Sequence, residues 1–333
     1  MDKPLSKLVS LFFNDYLVNE RGYSENTRKS YRDTFVLYFN FLEEVKHLQI
    51  MNNNVIFTRE LVLEFLDFLE KNGASVNTRN QRLAALKSFS KYAIRFYPEI
   101  YSNLEEIHSI KKKNSLNKSI EYLSKSAIEL LIKQIDSSNK KGLQDLSIIT
   151  LMYETGCRVQ ELIDLKYEDI SFNTPSTVKL LGKGKKIRVI PINDKVRDIL
   201  SAYCKAYKIN DNKQNLFENR SHNKFTRQGI NFILNKYVEK AKSVNSIMYP
   251  FKVHCHTLRH TKAMHLLENG VNLIYIRDIL GHESIQTTEI YARANPEMKR
   301  KYLETTISDI EKNITSVDDK RINELINWLK NNI

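Results

Sequence analysis

Residues 254–293 read HCHTLRHTKAMHLLENGVNLIYIRDILGHESIQTTEIYAR and bring imidazoles, a guanidinium and a phenol into one short segment. His256 and Arg259 stand three residues apart, so a helix places both on one face. A second predicted helix ends just before His282, and Tyr291 follows nine residues later. A guanidinium is a bidentate phosphate ligand, an imidazole accepts a proton near neutral pH, and a phenol becomes a nucleophile when a base takes its proton. The segment therefore predicts a tyrosine that attacks a phosphodiester.

Two upstream patterns could complete such a site. An apolar helix at 143–154 is followed by a Thr-Gly break and then by Arg158 and Glu161, which form either a surface ion pair or a pair that faces a cleft. Residues 177–192 contain two strand-like runs around a Gly/Lys turn and predict a β-hairpin. Lys183 in that turn is either a solvated charge or an ammonium placed in a groove. The turn lacks both the spacing and the following helix of a P-loop.

Helical periodicity dominates the rest of the chain. Residues 5–20, the segment after Ser24, and residues 59–71 and 76–96 predict a four-helix N-terminal unit. Further helices are predicted at 125–135, 194–207, 226–244, 272–280, 296–312 and 318–330. We therefore expect a mainly α-helical protein with two domains and one small antiparallel β-sheet.

Residues 103–122 show no apolar period and predict a basic linker. Lys111, Lys112 and Lys113 lie there and are either solvated or able to follow a nucleic-acid backbone. The basic residues of the N-terminal helices have the same two interpretations. They form either a solvated helix surface or phosphate contacts near helix N-termini.

Length and charge indicate two domains and a polyanionic partner. The chain has 333 residues, 41% of them hydrophobic, and a formal net charge of +13 with a pI of about 9.4. Residues 1–104 hold 14 basic and 12 acidic residues, so most of the surplus belongs to residues 105–333. Nucleic acid is the simplest partner that such a charge favours.

Cysteine usage and hydropathy predict a soluble protein of the cytoplasm. Three cysteines are too few and too scattered for a disulfide framework. The N-terminus has no signal-peptide pattern, and no apolar run approaches the roughly 20 residues that span a bilayer. His254, His256, His260 and His265 lack the H-E-x-x-H spacing and a nearby cysteine pair, so we expect no metal.

Four blocks of the sequence resemble the tyrosine recombinase, or phage integrase, family. They are TGCRVQEL at 155–162, GKGKKIRVIP at 182–191, HTLRH at 256–260, and LGH at 280–282 with Tyr291. One block alone is weak evidence, whereas four blocks in the family's order and spacing are strong evidence. The close resemblance covers residues 124–295. The N-terminal helices are similar, more loosely, to the family's SAM-like core-site DNA-binding domain.

The resemblance implies how the phosphate would be held and attacked. Arg158 and Arg259 would bind the non-bridging oxygens of the scissile phosphate and stabilise charge in the transition state. His282 would donate a hydrogen bond to the phosphate. Tyr291 would attack phosphorus and leave a 3′-phosphotyrosine. Because a free tyrosine has a pKa of about 10, this attack needs a base and neighbouring positive charge.

The resemblance also implies how protons would move. His256 would accept the tyrosine proton, and Lys183 would protonate the leaving 5′-oxygen. Glu161 would orient Arg158 or His256. A phosphotyrosine link conserves the energy of the phosphodiester bond, so we expect no cofactor, ATP or metal in the rejoining step.

By the same resemblance the chain divides into four segments. We expect a core-site DNA-binding helical domain at 1–104, a basic linker at 105–122, and a catalytic domain at 123–315. An amphipathic helix at 316–333 would dock either on its own domain or on a neighbouring protomer. The residues expected to contact DNA are Arg28, Lys29, Arg32, Arg79, Arg82, Lys87, Lys111, Lys112, Lys113, Lys185 and Lys186.

The implied partner is double-stranded DNA with inverted-repeat core sites. A dimer would occupy each site and a tetramer would form the synapse, alone or with related recombinases or accessory proteins. No arm-binding domain precedes the helical unit, which favours the simpler Xer-like members. The 42 residues after Tyr291 favour a recombinase encoded by a mobile element over chromosome-dimer resolution.

Two alternatives stay open. A type IB topoisomerase uses similar chemistry without exchanging strands, but the hairpin turn, the Gly281-His282 pair and the separate N-terminal unit favour a recombinase. A DNA-binding regulator with an inactive site is the other alternative. Every candidate catalytic position is occupied by a suitable residue, which argues against it.

Overall fold

The computed structural model separates into two compact units, Met1–Lys118 and Ser119–Ile333. It describes residues 5–48, 57–96, 101–114, 120–182, 184, 186–294, 300, 324, 327–328 and 330–331. Lys183 and Lys185 lie outside these residues. Apart from isolated positions, so do the helices predicted at 296–312 and 318–330.

Five α-helices are described in the N-terminal unit. They are α1 (Leu5–Leu11, continuing as a π-helical segment, Phe12–Glu20), α2 (Glu25–Asn40, continuing as Phe41–Val45), α3 (Arg59–Lys71), α4 (Val76–Ala93) and α5 (Tyr101–Ser109). Three of them begin where a hydroxyl side chain caps the first turn, because Ser24, Thr58 and Ser75 each accept a hydrogen bond from a backbone N–H three residues on. These are the helix starts that the sequence predicts.

Helix α5 is absent from the sequence-based prediction, which assigned residues from 103 onward to the linker. It is short, but Leu104, Ile107 and Ile110 lie three residues apart, which is a helical spacing. All three are buried in the core of the unit. The side chain of Asn80 then holds the following segment through two hydrogen bonds to the backbone of Lys113, of 2.8 and 3.0 Å. The first part of the predicted linker therefore belongs to the N-terminal unit.

The basic residues of α4 make contacts inside the unit. Arg79 is 4% exposed, with its Nε 3.6 Å from a carboxylate oxygen of Glu70. Arg82 Nη1 donates to the Ser30 carbonyl, and Lys87 Nζ donates to the His108 carbonyl. The interpretation of these three residues as a solvated surface is therefore wrong.

Three strands and eight helices are described in the second unit. The helices are α6 (Lys125–Lys133), α7 (Lys140–Thr155), α8 (Val159–Asp164), α9 (Asp194–Tyr207), α10 (Arg227–Val244), α11 (Cys255–Glu268), α12 (Leu273–Leu280) and α13 (Gln286–Ala294). The strands β1 (Ile170–Ser171), β2 (Thr177–Leu181) and β3 (Ile187–Pro191) form an antiparallel sheet in that order. The hairpin is as predicted, whereas β1 is too short for the sequence to indicate.

The register of the hairpin determines which side chains face the core. Val178 pairs with Ile190, and Leu180 pairs with Arg188. Because successive strand residues point to opposite faces, these four side chains share the inner face. Arg188 is thus a charged residue at a core-facing position.

A second, smaller core lies among α11, α12 and α13. It contains Met264, Leu267, Ile276 and Leu280 together with Tyr291. Helix α7 packs against α11, and its end is Gly156, at φ +58°. A Cβ at Gly156 would lie 2.8 Å from the end of the Leu280 side chain, so that side chain would have to move, and the positive φ would strain any residue with a Cβ. The end of α7 thus packs closely against α12.

From its composition the chain was expected to have no disulfide framework and no membrane span. Cys157, Cys204 and Cys255 are buried and free, and burial raises the pKa of their thiols to about 11, 11 and 12. No helix among the described residues has the length and apolar character that a membrane span requires.

Phe89→Ala should destabilise the N-terminal unit. Phe89 is 1% exposed, and its ring lies 4.9 to 5.2 Å from those of Phe12, Phe35 and Phe57. Removing a buried aromatic ring costs about 3–5 kcal/mol, which urea unfolding monitored by circular dichroism can measure. Phe232→Ala is the control, because Phe232 is 72% exposed and its loss should leave the midpoints unchanged. Equal effects of the two substitutions would contradict the assigned core.

Candidate active site

Four separate elements supply the predicted site residues of the second unit. Arg158 begins α8, Arg259 lies on α11, His282 follows α12, and Tyr291 lies on α13. Hydrogen bonds to the backbone at the ends of α7 and α12 connect some of these residues. Ring contacts that involve α11 connect others. The sequence-predicted residues are therefore brought together, with the exception of Lys183, which is outside the described residues.

Arg259 is held by the C-terminal ends of two helices. Its Nη1 donates to the Gly156 carbonyl at 2.9 Å, and its Nη2 donates to the Leu280 carbonyl at 2.7 Å. Such terminal carbonyls have no partner within their helix and carry partial negative charge. Burial first, and then the charge of Arg158, lower the pKa of Arg259 to about 10, so it remains a cation at neutral pH.

Arg158 is bound on one side and open on the other. Its Nη1 donates to Glu161 Oε1 at 2.9 Å, and its backbone N–H donates to Glu161 Oε2 at 2.8 Å. Its Nη2 reaches the Gly281 carbonyl at 3.3 Å. The side chain is still 37% exposed, so this guanidinium is available to a ligand in the cleft.

Glu161 lies between two guanidiniums. Besides Arg158, it accepts a bidentate pair from Arg188, with distances of 3.0 Å to Oε1 and 2.6 Å to Oε2. Burial raises the pKa of the Glu161 carboxyl, but the hydrogen bonds from Arg188 and Arg158 outweigh burial and hold the pKa below its usual value. Of the two partners expected for Glu161, the structure therefore places Arg158 beside it. The sequence analysis did not identify Arg188 as a site residue.

A cationic cleft of about 580 Å³ opens beside these residues. Its walls include Arg158, Gly182, Lys186, Arg188 and His282. Lys186 is exposed, and its carbonyl accepts a hydrogen bond from the Gly182 N–H across the hairpin turn. The cleft is also lined by Glu283 and by Arg277, which pairs with Asp278 at 2.7 Å. With Arg158, Lys186 and Arg188 on the hairpin and α8 side, the lining has a net positive charge. Such a cleft suits a phosphate group.

Tyr291 is enclosed and bonded to a histidine that the sequence analysis gave no role. The residue is 1% exposed, and its Oη lies 3.0 Å from His260 Nδ1. Burial raises the pKa of the Tyr291 phenol, and the charges of Arg259 and Arg158 oppose that rise. Burial first, and then His256 and Arg259, lower the pKa of His260 to about 4, so its imidazole is neutral at pH 7.

His256 and His282 flank this pair. The His256 ring lies 4.3 Å from the His260 ring, and the His282 ring lies parallel to Tyr291 at 6.4 Å. His256 keeps contact with solvent, yet desolvation and then the charges of Arg259 and Arg158 lower its pKa. Burial and then Arg259 lower the pKa of His282 to about 4. Neutral imidazoles thus surround the phenol.

No metal was expected from the sequence, whereas several residues were expected to contact DNA. Within the part of the chain that the structure describes, no cluster of three or more His, Cys, Asp or Glu side chains could hold a metal ion. Of the expected DNA contacts, Lys29 and Arg32 are exposed but pair with Glu25 and Asp33, and Lys111 and Lys112 are exposed. Contact of any of these residues with DNA stays a prediction.

Known proteins share both parts of this chain. The phage integrase family model matches residues 121–298, and the model of the phage integrase N-terminal SAM-like domain matches residues 12–96. The tyrosine recombinase XerC of Staphylococcus epidermidis is 33% identical over 287 residues, which cover 85% of this chain and 92% of that protein. The putative integrase/recombinase y4rC of Sinorhizobium fredii is 32% identical over 306 residues, 91% of each chain.

A solved structure supports the fold. The Tn1549 transposon integrase, in complex with transposon right end DNA, superimposes with a TM-score of 0.68 at 19% identity. The match covers 90% of this chain and 98% of that one. Together with the family matches, it confirms the predicted fold class, an N-terminal SAM-like helical domain and a mostly helical catalytic domain with a small antiparallel sheet.

Acidification should destabilise the second unit through His260 and His282. Their pKa values of about 4 lie below the usual value of 6.5, so the unfolded chain binds more protons between these pH values. The free energy of unfolding is therefore retained above pH 6.5 and decreases as the pH falls toward 4. For each proton taken up on unfolding, the decrease is at most about 1.4 kcal/mol per pH unit. Residual solvent contact of the rings reduces that figure.

Urea unfolding of the full chain at a series of pH values measures this loss. The double variant His260→Asn, His282→Asn should show a shallower dependence on pH than the wild type. His222→Asn is the control, because the His222 side chain is 90% exposed. A double variant with the wild-type pH dependence would show that these two imidazoles do not cause the loss.

Proposed function

The chain belongs to the phage integrase family, the tyrosine recombinases, and we propose that it cleaves and rejoins DNA through a 3′-phosphotyrosine intermediate. The observation that carries this proposal is the convergence of two guanidiniums, three neutral imidazoles and one enclosed phenol beside a cationic cleft. Arginine and neutral histidine suit a phosphate that gains charge in the transition state. The phenol is the nucleophile that the family's name denotes.

Arg158 and His282 are the first ligands of the scissile phosphate in this proposal. Both line the cleft, and the Arg158 side chain is partly open to it. Arg259 and Tyr291 are each 1% exposed, so a phosphate in the cleft reaches them only after the packing around them opens. Because Tyr291 lies on α13, we infer that binding of DNA displaces α13 from the small core and uncovers the phenol.

The chemical step then balances without an external reactant. The Tyr291 oxygen forms a bond to phosphorus as the bond to the 5′-oxygen breaks, and Lys183 supplies a proton to that oxygen. His260 Nδ1 is the nearest acceptor for the phenol proton, and His256 lies next to His260 on the solvent side. Rejoining reverses these transfers, and the phosphotyrosine conserves the bond energy.

The DNA partner and the assembly are proposed from the resemblance and from relatives. We infer double-stranded DNA with inverted-repeat core sites, a dimer on each site and a tetramer in the synapse, in the cytoplasm. Exposed Lys111, Lys112 and Lys186 are suitable phosphate contacts. The relatives include XerC recombinases and a transposon integrase, and mobile-element integration or excision is the role we favour.

Tyr291→Phe should abolish covalent DNA attachment and leave DNA binding unchanged. The substitution removes only the nucleophilic oxygen. A duplex is first selected from a random pool by wild-type binding, its cleavage position is mapped, and a nicked version is synthesised to trap the adduct. Denaturing gels detect the adduct, and mobility shift measures affinity. Tyr275→Phe is the control, because Tyr275 is 66% exposed on α12 and should form the adduct normally.

An adduct with Tyr291→Phe would contradict the nucleophile assignment. Relaxation of supercoiled DNA that lacks the selected site would instead favour topoisomerase activity. Absence of any adduct with the wild type would favour the DNA-binding regulator.

Lys183→Ala should cleave slowly, and a 5′-bridging phosphorothiolate should restore most of the lost rate. A thiolate leaves without protonation, so a substrate that contains it no longer needs the general acid. Single-turnover adduct formation measures both rates. Lys185→Ala is the matched variant in the same turn. Rescue of Lys185→Ala with no rescue of Lys183→Ala would assign the acid to Lys185.

A further inference from the structure

The guanidinium of Arg188 makes several hydrogen bonds within the protein. Arg188 lies on β3, and the family resemblance assigned it no role. Its Nε donates to the Ile279 carbonyl at 2.9 Å near the end of α12. Its Nη1 and Nη2 donate to the two oxygens of Glu161 at 3.0 and 2.6 Å. Because the side chain is only 11% exposed, the guanidinium acts inside the protein. It joins β3, α8 and α12 by hydrogen bonds.

Two glycines show how closely the guanidinium is packed. A Cβ at Gly281 would lie 3.0 Å from Arg188 Nη1 and 3.2 Å from its Cζ, and one at Gly182 would lie 3.5 Å from Nη1. Gly281 immediately precedes His282, and Gly182 immediately precedes Lys183. The guanidinium therefore lies against the residue before each of two candidate catalytic side chains. Glu161 also connects it to Arg158, because both guanidiniums donate to that carboxylate.

We propose that Arg188 is a positioning residue that sets the geometry of Arg158, His282 and the turn that carries Lys183. The proposal rests on the function proposed above. Arg188 acts on Arg158 through Glu161. It acts on His282 through its contact with Gly281, and on the turn through its contact with Gly182. Three of its five N–H groups donate to Glu161 and Ile279, and we assign it positioning rather than a phosphate contact. The affinity measurement below separates the two roles.

Only arginine fits this position. A planar guanidinium presents parallel N–H groups to both oxygens of a carboxylate while a third N–H points to another acceptor. A lysine at 188 would keep the charge, but a single ammonium cannot reproduce the bidentate pair. A methionine would keep length and bulk, and would leave the buried Glu161 with one guanidinium. The two substitutions therefore separate charge from geometry.

The experiment compares Arg188→Met and Arg188→Lys with the wild type on the selected nicked duplex. Misplacing reacting groups by about 1 Å can lower a rate by roughly 100-fold, so we expect a single-turnover loss of that order for Met and a smaller loss for Lys. The dissociation constant for the duplex should not change. Arg197→Met is the control, since Arg197 forms surface ion pairs with Asp194 and Asp198 and should cleave at the wild-type rate.

Two modified substrates identify which group has moved. A 5′-bridging phosphorothiolate compensates for a misplaced Lys183, and a methylphosphonate, which lacks one non-bridging charge, compensates for a misplaced Arg158. A purely structural role would lower stability and give no selective rescue. We expect each substrate to restore part of the rate lost in Arg188→Met, and neither to accelerate Arg197→Met relative to the wild type.

Several results would overturn the proposal. Wild-type rates in Arg188→Met would show that Arg188 positions nothing that matters to cleavage. A loss of affinity equal to the loss of rate would make it a DNA ligand instead. If Arg188→Met does not fold, Arg188→Lys decides, because a folded Lys variant with the wild-type rate and no rescue also excludes the role. Failure of the wild type to form an adduct would instead reject the proposed function.

Discussion

The site depends on one buried carboxylate that is shared by two guanidiniums. Glu161 accepts hydrogen bonds from Arg158 and Arg188, and the third guanidinium, Arg259, is neutralised only by helix-terminal carbonyls. Three buried or half-buried cations in one site would repel one another in a medium of low dielectric constant. A single carboxylate offsets part of that repulsion and fixes two of the side chains. The cleft therefore stays cationic, and Arg158, a phosphate ligand in our proposal, is held in place by Glu161.

The same packing encloses the phenol of Tyr291, the nucleophile in our proposal. Tyr291 belongs to the small core of α11, α12 and α13, where burial raises the pKa of its phenol. The neighbouring His260 is neutral and holds the hydroxyl at 3.0 Å. In our proposal the phenol reacts only after DNA binding has opened this packing, and Lys183 then protonates the leaving 5′-oxygen. Enclosure of Tyr291 in the small core would therefore separate DNA binding from cleavage.

The sequence predicted the hairpin, and it pointed to most of the side chains that the structure brings together, because each lies in a local motif. Arg188 escaped prediction because its partners are distant in sequence, at 161 and 279. An alternating strand pattern could have revealed it, since Arg188 shares the inner face with Ile190, and a charged inner residue requires a buried partner. His260 lay one turn after His256 but was assigned no role. Helix α5 was not predicted because it has few apolar residues, and only the structure shows that they belong to the core.

The contacts of the basic side chains strengthen the uneven charge distribution that composition indicates. The N-terminal 104 residues have a formal surplus of only two charges, and Arg79, Arg82 and Lys87 are engaged inside that unit. The nonspecific attraction to DNA should therefore arise mainly from residues after 104, where Lys111, Lys112 and Lys186 are exposed. If the N-terminal unit binds DNA, hydrogen-bonding groups at the capped starts of α2 and α4 are better suited than net charge to supply contacts. A unit of that kind would contribute more to position and specificity than to electrostatic affinity.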